Sequence, residues 1–278
     1  MSSISTRGAR FPFAWESNGL HVRAALEYDG GDFHGFARQP SVRTVAAVVE
    51  SALRTLAGKG VAVTGAGRTD RGVHATGQVI SFSLPREWEA RRLRLALAAN
   101  LPRDVAVRDV TEVGAEFSAR RGALSRTYVY AIESGERSPL VASFAWCVAR
   151  PLDLGAMQAA ASSLLGERDF RSFCALPERG GTVREVTALS LERIGDLVRL
   201  SITAPGFLRH MVRTIVGTLV ECGSGRRDPN TIASVLAARD RRAAGANAPP
   251  QGLYLAGVRY DGYDSYREPP VTHRFEQR

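Results

Sequence analysis

The chain has 278 residues, 44% of them hydrophobic and 23% charged, which excludes a staple-dependent peptide or a wholly disordered chain and leaves room for one large or two modest domains. Its 37 basic and 28 acidic side chains give a net charge of +9, the footprint of a protein that meets polyanions, nucleic acid first. The longest mainly apolar stretch, residues 141–149, is far short of a bilayer span, and residues 1–20 lack the basic-then-apolar layout of a signal peptide, so a cytoplasmic protein without membrane contact is expected.

Residues 21–28 alternate apolar and polar side chains, the period of a half-buried strand. After a Gly- and Pro-containing loop, Val45, Val48, Val49, Ala52, Leu53 and Leu56 recur at helical spacing, with Thr44 placed as N-cap and Gly58 or Gly60 beyond the end. Strands are predicted at 61–64 and 78–83, a helix at about 89–99 and a strand at 105–113. A second series follows, with a strand at 127–132, a helix at about 153–165 and a hairpin over 188–203 that turns at Gly195-Asp196. A long helix then shows the stripe Leu208, Met211, Val212, Ile215, Val216 and Leu219, Asp228-Pro229 opens a shorter helix, and 253–260 reads as a closing strand.

Two consecutive α+β units predict sheets covered by helices on one face. The expected division is an N-terminal tail over 1–20, units over 21–115 and 116–263, and a C-terminal tail over 264–278. The stretches 178–182 and 242–251, rich in Gly, Ala, Pro and charge, are the expected mobile insertions. Cys147, Cys174 and Cys222 are too few and too widely spaced for a disulfide framework or zinc site, and the five histidines form no paired ligand spacing, so no metal is expected.

Three segments concentrate unusual residues. Gly65-Ala-Gly-Arg-Thr-Asp-Arg-Gly-Val-His-Ala75 fails as a dinucleotide fingerprint, because Asp70 stands where the third glycine is needed, and as a phosphate loop, because Val73-His74 replaces Lys-Ser/Thr. What is left is a glycine-rich loop presenting one carboxylate, Asp70, between Arg68 and Arg71. Such an aspartate can serve as nucleophile or base, and the same residue types equally suit a surface ion pair in a turn. Residues 117–130 carry Arg120, Arg121, Arg126, Tyr128 and Tyr130, basic and aromatic together as RNA contacts require, although core tyrosines would read the same way. In Phe207-Leu-Arg-His-Met-Val-Arg213, Arg209 and Arg213 lie beside the buried stripe, where an arginine either faces solvent or pairs with a carboxylate from another element.

Taken together in order, these segments closely resemble the tRNA pseudouridine synthase A family over residues 22 to about 260. The matching strings include Glu27-Tyr-Asp-Gly30, Gly67-Arg-Thr-Asp70 with Gly72-Val-His-Ala75, Phe117-Ser-Ala-Arg120, Arg126-Thr-Tyr-Val-Tyr130, His210-Met-Val-Arg213 and Ala248-Pro-Pro-Gln-Gly-Leu-Tyr-Leu255. The resemblance implies an α+β pseudouridine synthase fold. Two ferredoxin- or RRM-like subdomains would form a central, mostly antiparallel sheet flanked by helices, with the active-site cleft between them.

It also implies an isomerase that converts uridine to pseudouridine at positions 38 to 40 of the tRNA anticodon arm, without a cofactor and as a homodimer. Asp70 would be the essential aspartate, Arg68 its positioning neighbour, Arg213 its ion-pair partner and Tyr128 the ring stacked on the target base. Arg71, His74, Arg120, Arg126 and His210 complete the expected substrate-binding set. Arg71 stands where the family usually has Ala, and Ala37 and Ala46 where it usually has Gln. The readings to be discriminated from this one are a catalytically silent RNA-binding protein or tRNA folding helper, and the same chemistry on a different RNA.

Overall fold

The computed structural model describes residues 19–85, 87–175 and 180–273. Most of the expected N-terminal tail, residues 178 and 179 of the first expected insertion, and residues 274–278 lie outside the described residues. The elements run β1 (Leu20–Tyr28), α1 (Val45–Ala57), β2 (Thr64–Gly65), β3 (His74–Leu84), α2 (Ala90–Asn100), β4 (Val105–Glu112), β5 (Ser125–Ser134), β6 (Trp146–Val148) and α3 (Leu154–Ser162). They continue with β7 (Gly166–Asp169), β8 (Val183–Val186), β9 (Ala188–Ile194), β10 (Leu197–Ala204), α4 (Met211–Gly223), α5 (Ile232–Ala238), β11 (Leu253–Tyr260), β12 (Tyr263–Asp264) and α6 (Pro270–His273).

One large sheet is ordered β4-β1-β3-β11-β5-β10-β9, with β2 beside β3, β6 beside β5 and β12 beside β11, while β7 and β8 pair separately. Within β1–β4, and again within β5, β9, β10 and β11, the last strand pairs with the first, the first with the third and the third with the second. The two series meet where β3 and β11 run parallel, with Tyr254 opposite His74 and Leu255 opposite Ala75. Nearly all other pairings are antiparallel, so the fold is the mixed α+β arrangement expected. The face bearing Tyr128, Tyr130, Leu253 and Leu255 packs into one core with α1–α4, and the opposite face packs Ala131, Leu197 and Tyr254 on Val141, Ala145 and Val271.

Several elements follow directly from local chemistry. The Thr44 hydroxyl accepts the Ala47 N–H to start α1, and Gly58 ends it in the left-handed conformation at φ 71°. The β9–β10 hairpin turns at Gly195-Asp196 as predicted.

Other elements depart from expectation. The predicted 61–64 strand shrinks to β2, because the Val63 N–H is committed to the Glu50 carboxylate at 3.2 Å instead of a strand partner. The long helix, α4, begins at Met211, not Leu208, because His210 adopts a left-handed φ of 64°. Residues 242–251 are no mobile insertion but are sewn along α4. Asn247 accepts a hydrogen bond from Thr214 at 2.6 Å, Gly245 donates to Thr218 at 3.0 Å, and a Cβ at Gly217 would stand 1.8 Å from the Ala246 carbonyl oxygen. Residues 264–273, expected within a tail, are docked as well: Thr76 donates to the Arg267 carbonyl at 2.5 Å and Val271 is buried.

Candidate active site

Asp70 lies in the loop between β2 and β3, and that loop is held from several sides. The Ala66 N–H donates to Val79 O at 2.8 Å, and the Gln78 side chain donates to Gly67 O at 2.7 Å. The Tyr28 and Thr69 hydroxyls are 2.8 Å apart, and Phe36 N–H donates to Thr69 O at 3.1 Å. At Gly35, φ is 93° and a Cβ would stand 2.7 Å from Thr69 O, so only glycine lets this neighbouring loop approach. Burial pushes the Tyr28 phenol up to about 12, leaving it a neutral structural hydrogen-bonding group. Sequence reasoning missed Tyr28, Thr69 and Gln78. The one legible signal was a polar Gln78, fully buried here, at the head of the 78–83 strand run.

The loop delivers Asp70 to a cavity of about 210 Å³ whose lining includes Arg68, Tyr128, Phe207, His210 and Arg213. Arg213 enters from the first turn of α4, its Nη1 3.5 Å from Asp70 Oδ2, while its Nε donates to Ala248 O at 2.8 Å. A guanidinium at a helix N-terminus runs against the helix dipole, and the Asp70 carboxylate and the Ala248 carbonyl offset it. His210 Nε2 is also 3.5 Å from Asp70 Oδ2, and its Nδ1 is 3.3 Å from the Asn247 amide. Burial holds the His210 imidazole below its ordinary value, the nearby Asp70 opposing that shift and Arg213 reinforcing it, so the ring is neutral at neutral pH. A non-glycine residue in the left-handed region costs on the order of 1–3 kcal/mol and persists where its surroundings over-determine it.

Tyr128 stands on β5 with its ring 5.1 Å from Phe207 at an interplanar angle of 88°, an edge-to-face pair that fixes the plane it presents to the cavity. Burial pushes its phenol well above the usual tyrosine range, so the hydroxyl keeps its proton. Phe207 was not singled out from sequence. It opens the 207–213 segment, in which the arginines and His210 carry the expected roles.

The other expected substrate contacts fall into different places. Arg126 has no donor left for a phosphate: its Nε and Nη2 bond Ala66 O at 3.3 and 2.9 Å, Nη1 bonds Pro205 O at 2.7 Å and Ala123 O at 3.2 Å, and Nη2 also bonds Arg120 O at 2.8 Å. It clamps the Asp70 loop to the segments preceding β5 and α4 instead. His74 is on the opposite sheet face, stacked on Tyr254 at 5.0 Å with its Nδ1 3.0 Å from the Gly30 nitrogen, so it does not reach the Asp70 cavity. Arg71 is exposed and does not line the cavity, and Arg120 lines a neighbouring one that also touches Arg68. Tyr130 is core, its hydroxyl donating to Pro249 O at 2.7 Å. Among the described residues, no cluster of three His, Cys, Asp or Glu is placed to hold a metal, and no helix is long and apolar enough to cross a membrane.

Comparison with known proteins gives a consistent set of similarities. A family model described as tRNA pseudouridine synthase matches residues 24–120 and 160–261. The tRNA pseudouridine synthase A of Myxococcus xanthus is 42% identical over 259 residues, covering 92% of this chain and 98% of that protein. The enzymes of the same name from Syntrophomonas wolfei and Brevibacillus brevis are 42% and 44% identical over 241 residues, each across 86% of this chain and 97% and 99% of their own lengths.

Proposed function

The chain belongs to the tRNA pseudouridine synthase A family, and on that footing we propose that it isomerises uridine to pseudouridine at positions 38 to 40 of the tRNA anticodon arm, with Asp70 as nucleophile or base. The observation that carries this reading is the convergence of Asp70, Arg213, His210 and Tyr128 in one cavity drawn from both halves of the sheet.

The reaction breaks the N1–C1′ bond, turns the base and joins C5 to C1′. The C5 hydrogen leaves as a proton and N1 gains one, so the product is an isomer and the balance requires no oxidant, reductant or energy source. A duplexed or stacked uridine cannot reach a half-buried carboxylate set inside a cavity, so it must first be extruded, at a cost of a few kcal/mol. Tyr128 receives the flipped base on its ring, Arg68 at the cavity mouth positions the nucleotide, and Arg213 with neutral His210 holds the Asp70 carboxylate in place. A charged imidazole in that position would compete with Arg213 for Asp70, and its low proton affinity avoids this.

In this reading, residues 21–115 and 116–263 are the two α+β units that assemble the cavity, and the protein works as a homodimer that shares one tRNA. Leu140 and Phe144, exposed beside a cavity of about 220 Å³ on the opposite sheet face, offer a second copy an apolar surface to cover. Sedimentation of the purified protein tests the assembly, a monomer counting against it.

The activity test is tritium release from tRNA labelled at uridine C5. Release by the wild type, located at positions 38 to 40 by sequencing, is expected, and tRNA binding without release would instead leave a silent RNA-binding protein.

A further inference from the structure

Beside the Asp70 cavity lies a second one of about 330 Å³, and the two share Arg68. Its size falls within the roughly 300–1,000 Å³ of small-molecule sites. Three arginines line it, Arg38, Arg68 and Arg120, and the small side chains of Ala37 and Ala46 are also part of its lining. Arg38 is held by Glu50, with Nη1 3.1 Å from the carboxylate, whereas Arg68 and Arg120 meet no carboxylate among the described residues. Glu50 is itself anchored by the Val63 N–H, so the acidic group on this wall is already committed.

The backbone around the cavity is as firmly placed as that around Asp70. Ala46 N–H donates to Phe36 O at 2.9 Å, and the Arg120 carbonyl is gripped by Arg126 at 2.8 Å, which leaves the exposed Arg120 side chain free to serve a ligand. Two guanidinium groups without carboxylate partners, small alanine side chains in the lining and a shared wall with the reaction cavity describe a site for an anion that carries a flat body.

We propose that this cavity is the subsite for the nucleotide adjacent to the reacting uridine, with its phosphate between Arg68 and Arg120 and its base against Ala37 and Ala46. The inference rests on the tRNA-modifying reading above and adds to it. Arg120 and the two alanines set which neighbouring nucleotide the enzyme accepts, and the small side chain at position 46 is what leaves space for a base. Phosphate contact fixes the register of the strand so that the next nucleotide, once extruded, falls into the Asp70 cavity.

The test uses synthetic tRNA with a single neutral methylphosphonate on the 5′ or the 3′ side of the target uridine, read as kcat/KM for pseudouridine formation by wild type and Arg120→Ala. The expected result is a drop of about tenfold for Arg120→Ala on the all-phosphate RNA and no further drop on RNA neutralised at one of the two linkages. Equal effects of Arg120→Ala on all three RNAs, or none on any, would overturn the subsite. Ala46→Leu gives a second readout: it should abolish the wild-type preference for an intact over an abasic neighbour, and a retained preference also counts against the proposal. Absence of turnover by wild type on unmodified tRNA would remove the functional reading itself, which separates the two failures.

Discussion

Arg126 holds the Ala66 carbonyl with two of its nitrogens, Nη2 at 2.9 Å and Nε at 3.3 Å. Its remaining hydrogens go to carbonyls of Arg120, Ala123 and Pro205, so one side chain joins the Asp70 loop to the entries of β5 and α4. Lysine has three donors on a single point and cannot span these acceptors. Arg126→Lys should therefore lower stability by roughly 2–4 kcal/mol and depress kcat, while the salt dependence of tRNA binding keeps its wild-type slope. Thermal melts and salt titrations check this, and a shallower salt slope with unchanged stability would return Arg126 to the phosphate-binding set.

Asp70→Asn preserves the shape of the cavity but removes the charge that faces Arg213 and His210. Tritium release should disappear, while tRNA affinity stays within about threefold, because phosphates and not this carboxylate supply binding. Turnover at the wild-type rate would refute the assigned role.

Arg71 is exposed and stands outside the cavity lining. Arg71→Ala should leave the single-turnover rate at saturating tRNA within twofold, weaken affinity severalfold and reduce the slope of log K against log salt by about one. A large loss in the single-turnover rate would place its guanidinium in the chemistry.

The low proton affinity of His210 makes a pH prediction whose sign is fixed by linkage. With its folded value held below the ordinary 6.5, the unfolded chain takes up the proton first as pH falls. The native state then loses stability through the window that begins near that value and extends downward. Asn tolerates the left-handed backbone at this position and does not titrate. The Tm advantage of wild type over His210→Asn should therefore shrink as pH drops from 7 to 5. A constant difference across that range would mean that His210 protonates equally in both states.

Much of this fold is legible in the sequence. The capped helix over 45–57 and the hairpin turning at Gly195-Asp196 are set by side-chain period, by an N-cap hydroxyl and by glycines, all within a few residues of one another. The short string around Asp70 likewise singled out one carboxylate, and the structure places Arg213 and Tyr128 in the cavity that this carboxylate lines. The left-handed turn at His210 was not legible, because the apolar stripe runs on through Leu208 as though the helix did too.

By itself, then, the sequence determined the period, ends and order of the elements, the basic character of the surface and the aspartate on which the site is built, since these depend on local spacing and composition. Only the tertiary structure decided which of the basic and aromatic residues stand at that aspartate. His74 is only four residues from Asp70 in the chain, yet it lies across the sheet because β3 alternates its side chains and pairs in parallel with β11. Arg126 looks like a phosphate ligand until its donors are counted against the neighbouring carbonyls of Arg120 and Ala123 and the distant ones of Ala66 and Pro205. Whether a side chain is free for a substrate depends on partners that packing supplies, and those partners are far away in sequence.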